Sequence, residues 1–356
     1  MKSLNAVASL VALTALVAAC DAGKGPVGPG PSRSLAAELE NASRNSDWST
    51  PINLGAVINS TGNEERPQIS KDGLSLFVQS DRPGGLGGFD IYVSQRATFD
   101  DPWGPLQNLG ANINSSGNDG APAFSPDGHR LYFHSSRAGE CGGIDLYVAR
   151  RRDKRDDLGW EPAENLGCVV NSTANDAGPT IFEDEATGIT TLYFTSTRLG
   201  GPGDFDIYQS TRVGDDGEFG PPVLVPELSG PARDTRTAIS RDGLELFISS
   251  DVTGRAGGVG GQDLWASTRA TTLDPWSTPV NLGPVVNTTA FDGGPALSFD
   301  GTALYFFSNR PGGFGGSDLY VTTRTRLGGP DLAESVGVET HRKEKVRGKK
   351  ETHGRE

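Results

Sequence analysis

The sequence predicts an all-β fold, a five-bladed β-propeller built from four-stranded blades. Three observations lead there: glycine and proline are abundant, a unit of nearly constant length recurs five times, and each unit holds four short strand patterns. The chain has 356 residues, of which 49 are Gly and 23 Pro, roughly twice the usual glycine share. That composition favours tight turns and short strands over long helices.

The repeat is marked by an aromatic residue ahead of "NLG" or its equivalent. It falls at Trp48, Trp103, Trp160, Phe219 and Trp276, spaced by 55, 57, 59 and 57 residues. An acidic residue and a turn open strand a of each unit, as in "DGAPAFSPDG" and "DGGPALSFDG". Strand b ("RLYFHSSR", "ALYFFSNR") is apolar on both faces, as expected of a strand packed between neighbouring sheets. Strand c ("IDLYVARR", "SDLYVTTR") alternates more, and strand d is the aromatic-marked "WSTPVNLG". A four-stranded unit repeated in this way is the signature of a propeller. The repeats begin with a strand d, Trp48 to Gly55, and end with a strand c, Asp318 to Arg324. Pairing these two closes the ring one-plus-three and removes an open edge.

Four segments follow. Residues 1–19 read as a lipoprotein signal peptide: a positive start at Lys2, a short apolar run and "LVAAC", which resembles the lipobox of bacterial lipoproteins. Cys20 is then the lipidation site; an ordinary cleaved signal peptide is the alternative. Residues 20–47 are a Gly/Pro-rich linker, 48–326 the propeller, and 327–356 a charged tail expected to be disordered. A net charge of −13 excludes nucleic acid as a partner.

The hairpin phrase "SPDGHRLYF", with "SDRPGG…DIY", resembles the WD40-like propeller repeat of TolB-type periplasmic proteins, similar units of which occur in envelope lipoproteins. The resemblance spans Trp48 to Arg324. Unit three departs from it by carrying "EDEATG" in place of "SPDG", and unit four lacks "NLG…IN".

The strand order places the b–c and d–a loops on one face, the top. The d–a loops carry Glu64, Asp119, Asp176, Asp234 and Asp292, expected as a carboxylate ring at the channel mouth. Two readings stand: a binding rim for a cation, a basic peptide or a metal, or loop-fixing acceptors of backbone N–H bonds. No cofactor is assigned; hard cations such as calcium favour oxygen ligands, but no ligand spacing names a metal. Strand b ends in Arg82, Arg137, Arg198 and Arg310, and strand c begins with Asp90, Asp145, Asp206, Asp263 and Asp318. Adjacent strand ends predict structural Arg/Asp pairs. Unit four has Val252 in place of the arginine, with Arg255 as the substitute. That unit breaks the symmetry most. Arg233, Asp234 and Arg236 read either as plain drift of one repeat, the favoured reading, or as a basic notch in an acidic rim suited to a carboxylate or sugar acid. Cys141 and Cys168 are expected to form a disulfide near the same rim. Asn59, Asn114, Asn171 and Asn287 match glycosylation acceptors but recur as turn formers. His129 and His134 show no catalytic spacing.

Together with the resemblance, these features imply a non-enzymatic, monomeric envelope lipoprotein, periplasmic or at the cell surface. Its propeller top face would bind a protein or glycan partner. The alternative is an exported glycoside hydrolase that uses channel-mouth carboxylates as acid and base.

Overall fold

A computed structural model describes residues 45–139, 141–214 and 217–327. The expected signal peptide, Cys20 and linker lie outside the described residues, except for the linker's last three positions; the tail lies outside them beyond residue 327. Among the described residues no helix is long and apolar enough to cross a membrane.

Twenty strands form five antiparallel sheets of four, with one 3-10 turn at Val252–Gly254. Blade one comprises β2 (Glu64–Ile69), β3 (Ser75–Ser80), β4 (Asp90–Gln95) and β5 (Gln107–Asn108). Blade two comprises β6 (Asp119–Phe124), β7 (Arg130–Ser135), β8 (Asp145–Arg150) and β9 (Glu164–Asn165). Blade three comprises β10 (Asp176–Asp184), β11 (Ile189–Ser196), β12 (Asp206–Val213) and β13 (Val223–Leu224). Blade four comprises β14 (Asp234–Ile239), β15 (Glu245–Asp251), β16 (Gln262–Thr268) and β17 (Val280–Asn281). Blade five holds β18 (Asp292–Leu297), β19 (Ala303–Ser308) and β20 (Asp318–Thr323), and its fourth strand is β1 (Ile52–Asn53). Ile52 pairs with Val321 and Asn53 with Tyr320, so the start of the repeats completes their end.

The second strand of each blade is buried along nearly its whole length, because it is sandwiched between the neighbouring sheets. The core is accordingly five separate apolar clusters, one between each pair of adjacent blades. The aromatic marker earns its recurrence on the outer edge. Arg96, Arg151, Arg269 and Arg324 lie 4.2–4.5 Å from the ring centres of Trp103, Trp160, Trp276 and Trp48. Arg212 lies 4.9 Å over Phe219. Each cation thus covers the ring that ends its own sheet.

The glycine-rich b–c loops join the blades. A Cβ at Gly315 would lie 2.0 Å from the carbonyl oxygen of Gly62, in the next blade's d–a loop. Only glycine permits that approach. Cys141 and Cys168 are disulfide-bonded across the corresponding loops of blade two.

Candidate active site

The five repeated carboxylates do not ring the channel mouth. Glu64, Asp119, Asp176, Asp234 and Asp292 are all fully buried, each at 0 % exposure. Each begins an innermost strand and accepts a backbone N–H from four residues earlier at 2.5–2.6 Å. Each also takes the arginine of the second strand: Arg82–Glu64 2.9 Å, Arg137–Asp119 2.8 Å, Arg198–Asp176 2.6 Å, Arg255–Asp234 3.0 Å and Arg310–Asp292 2.6 Å. Their oxygens are therefore spent on the scaffold: the loop-fixing reading matches these bonds, and the binding rim is corrected to five buried ion pairs. Arg255 takes the arginine's place in blade four, where it also donates to Leu228 O at 2.6 Å.

The expected pairs of Arg82 with Asp90, Arg137 with Asp145, Arg198 with Asp206 and Arg310 with Asp318 do not form. The first three strands of a blade all meet at the top, and the arginine turns inward rather than outward. The aspartates of the third strand instead clasp their own glycine loops. Asp90 accepts from Leu86 N at 2.5 Å and Asn108 Nδ2 at 2.8 Å. Asp318 accepts from Phe314 N at 2.7 Å and Asn53 Nδ2 at 2.8 Å. Asp145, Asp206 and Asp263 do the same for the loop amides of Cys141, Gly203 and Val259. Among the described residues no group of three or more His, Cys, Asp or Glu gathers as a metal set.

A cavity of about 300 Å³ is nevertheless present, walled by blades four, five and one around the starts of their innermost strands. Blade one contributes Glu65 and Arg66, blade four and the loop leading into it Arg233, Thr235, Arg236, Asp251 and Gln262, and blade five with its entry loop Phe291, Phe307 and Asn309. This is where the repeat breaks. The position after each repeated carboxylate is Glu65, Gly120, Ala177, Thr235 and Gly293, so only blade one places an acid there. The next position is Arg66, Ala121, Gly178, Arg236 and Gly294. Each of the five innermost strands bulges here and turns to positive φ: 49°, 51°, 60°, 39° and 64°. That backbone suits glycine and strains arginine.

Asp251 ends the second strand of blade four. Asp81 and Asn309, its counterparts in blades one and five, accept the N–H of Asn63 and Phe291. Asp251 instead takes the Gln262 amide at 3.3 Å. Burial raises its pKa above the ordinary 3.8, against the pull of Arg233 and of the Gln262 hydrogen bond. Glu65 accepts from Gln79 Nε2 at 3.1 Å, and Gln79 Oε1 is held by Ala121 N at 3.1 Å. Arg236 is 2 % exposed; its Nη2 donates to Pro122 O at 2.7 Å, while Nε and Nη1 have no partner. Burial and the neighbouring Arg66 lower its pKa to about 9, so it stays cationic at neutral pH. His134, buried beside both arginines, is pushed well below 6.5 and stays neutral, accepting Gly178 N–H at Nδ1. Phe291 offers a half-exposed ring at the edge.

Of the expected rim, only Arg233 and Arg236 face this cavity. Glu65, Arg66 and Asp251 went unnoticed in the sequence, although comparing the five units position by position would have exposed the first two.

No protein-family model matches the chain, and no curated protein does. Solved structures match its fold. An α-L-arabinofuranosidase from Lactobacillus brevis has a TM-score of 0.54 at 16 % identity, covering 77 % of this chain and 95 % of that one. A GH62 hydrolase in complex with xylotriose has a TM-score of 0.54 at 12 % identity, covering 80 % and 99 %. An exo-1,5-α-L-arabinanase from a bovine ruminal metagenomic library has a TM-score of 0.51 at 15 % identity, covering 74 % and 94 %. At these identities the likeness is one of fold. It corrects the TolB-like, WD40-like assignment, which rested on short hairpin phrases: those phrases specify a blade's turns, not the kind of propeller. The non-enzymatic, partner-binding reading is corrected with it to this extent: the neighbours of this fold are glycoside hydrolases, not partner-binding scaffolds.

Proposed function

We propose that the chain is a glycoside hydrolase working from this cavity. The observation that carries this is the placing of two carboxylates, Glu65 and Asp251, in one pocket, on symmetry-broken positions. That an arabinofuranosidase and an arabinanase share this fold adds support. Glycoside hydrolysis needs two carboxyl groups held in unlike environments, one of them protonated. Asp251, raised by burial, is the general acid that protonates the departing glycosidic oxygen. Glu65, oriented by Gln79, supplies the second carboxylate, which activates water or attacks the anomeric carbon according to the separation of the pair. Phe291 gives the apolar face of a sugar ring a surface to lie on.

The test is hydrolysis of a panel of arabinan, arabinoxylan, xylan and pectic glycans by wild type, Asp251→Asn and Glu65→Gln. Each variant should lose about 10²–10⁴-fold in kcat. No turnover across the panel, or variants as active as wild type, would overturn the reading.

A further inference from the structure

The same cavity carries more positive than negative groups, inside a chain whose net charge is −13. Arg66, Arg233 and Arg236 face two carboxylates, and burial favours the neutral form of one of these, Asp251. Among the described residues neither Arg66 nor Arg236 forms an ion pair. Arg236 is almost wholly buried with two nitrogens unpartnered, and it borders the cavity. A buried guanidinium with no counterion is costly, and so is arginine at positive φ. Blades three and five avoid both costs at this position with Gly178 and Gly294, and blade two avoids the charge with Ala121. Gly294 also makes room: a Cβ there would come within 3.2 Å of Arg66 Cα. Two arginines are thus kept on left-handed backbone where the sister blades use glycine or alanine; Glu65 offsets the charge of Arg66, whereas Arg236 borders the cavity with two unpartnered nitrogens.

We infer that the cavity selects an acidic sugar, with the carboxylate of a uronic acid residue seated between Arg66 and Arg236 and the rest of the ring toward Glu65 and Asp251. This rests on the hydrolase reading for its setting, but its binding prediction stands apart from turnover. A carboxylate matches the guanidinium in charge and in its planar hydrogen-bonding geometry. Arg233, exposed and 4.6 Å over the Phe205 ring, adds positive field at the entrance.

Isothermal titration of wild type with D-galacturonate, D-glucuronate, D-galactose, D-glucose and galactose 6-sulfate tests it. The uronates should bind at least about tenfold more tightly than the neutral sugars and the sulfate ester. Arg66→Gln and Arg236→Gln should abolish that preference, and Asp251→Asn should keep it. Arg236→Gly, which installs the residue of the sister blades, guards against a variant that fails to fold and should abolish the preference too. Equal binding of neutral and acidic sugars, tighter binding of the sulfate, or an undiminished preference in either Arg236 variant would overturn the inference. Arginine-dependent uronate binding without hydrolysis of any glycan would leave it standing while the hydrolase reading falls. Hydrolysis of neutral glycans without uronate preference would do the reverse.

Discussion

Arg66 and Arg236 occupy the same position of two different innermost strands, and both hold a left-handed backbone, φ 49° and 39°. Burial lowers the pKa of each; Glu65 pulls that of Arg66 back up and Arg233 lowers it, while Arg66 lowers that of Arg236. Two like charges on strained backbone, bordering one cavity, work against folding unless something else binds there.

Arg236→Gly and Arg66→Gly should therefore stabilise the empty protein. Relief of the left-handed backbone returns about 1–2 kcal/mol, less about 0.5–1 kcal/mol for glycine's greater freedom when unfolded, and loss of a buried unpaired charge adds to it. Thermal melts should show a higher Tm for each variant. A lower Tm would mean that the arginines support the scaffold.

Hydrolysis should depend on protonated Asp251. Its pKa is raised by burial, so kcat/KM falls as pH rises through that value, and the falling limb lies above the ordinary 3.8. The same shift has a sign for stability. A raised native pKa means that the native state holds its proton longer. The contribution of Asp251 is full below 3.8 and is lost as pH climbs through the native value. Asp251→Asn should remove both dependences, read from pH–rate profiles and from denaturant unfolding at several pH values.

The five repeated ion pairs should be structural. Arg310→Met leaves Asp292 buried opposite no cation, and removing one partner of such a pair costs about 3–5 kcal/mol. Urea unfolding should show that loss, with hydrolysis per folded molecule unchanged. A variant of full stability but no activity would reverse the assignment.

The Cys141–Cys168 bond closes a span of 27 residues. The chain-entropy argument gives about 3–4 kcal/mol for a loop of that size. Reduction, or Cys168→Ser, should lower Tm accordingly, and thiol titration of unreduced, unfolded protein should detect no reactive thiol from this pair.

The architecture was legible because a propeller writes its geometry into its period. Five aromatic markers, five acidic starts and an offset first strand were enough to specify blades, order and closure. The candidate site was less legible for the same reason: repetition drew attention to Asp119 and its counterparts, which recur because every blade must neutralise an arginine. Nothing in a linear sequence separates a carboxylate buried under a strand end from one standing at a rim. Nor does it say which of two neighbouring strands an arginine will lean toward, hence the misassigned Arg82–Asp90. Glu65 sits beside Glu64, and that single-residue step decides whether a side chain enters the scaffold or the channel. Asp251 was hidden by the irregular loop that follows it.

One consequence of the closure remains. Asn45 bridges Arg326, and Ser46 N donates to Thr325 O at 2.8 Å, so the two ends of the propeller lie side by side. The ring therefore has no privileged starting blade. Its seam could be moved by joining these ends through a short linker and opening the chain at another blade's outermost strand. Until its last strand meets its first, the growing chain is an arc of stacked sheets with two uncapped faces, and that meeting turns the arc into a circle.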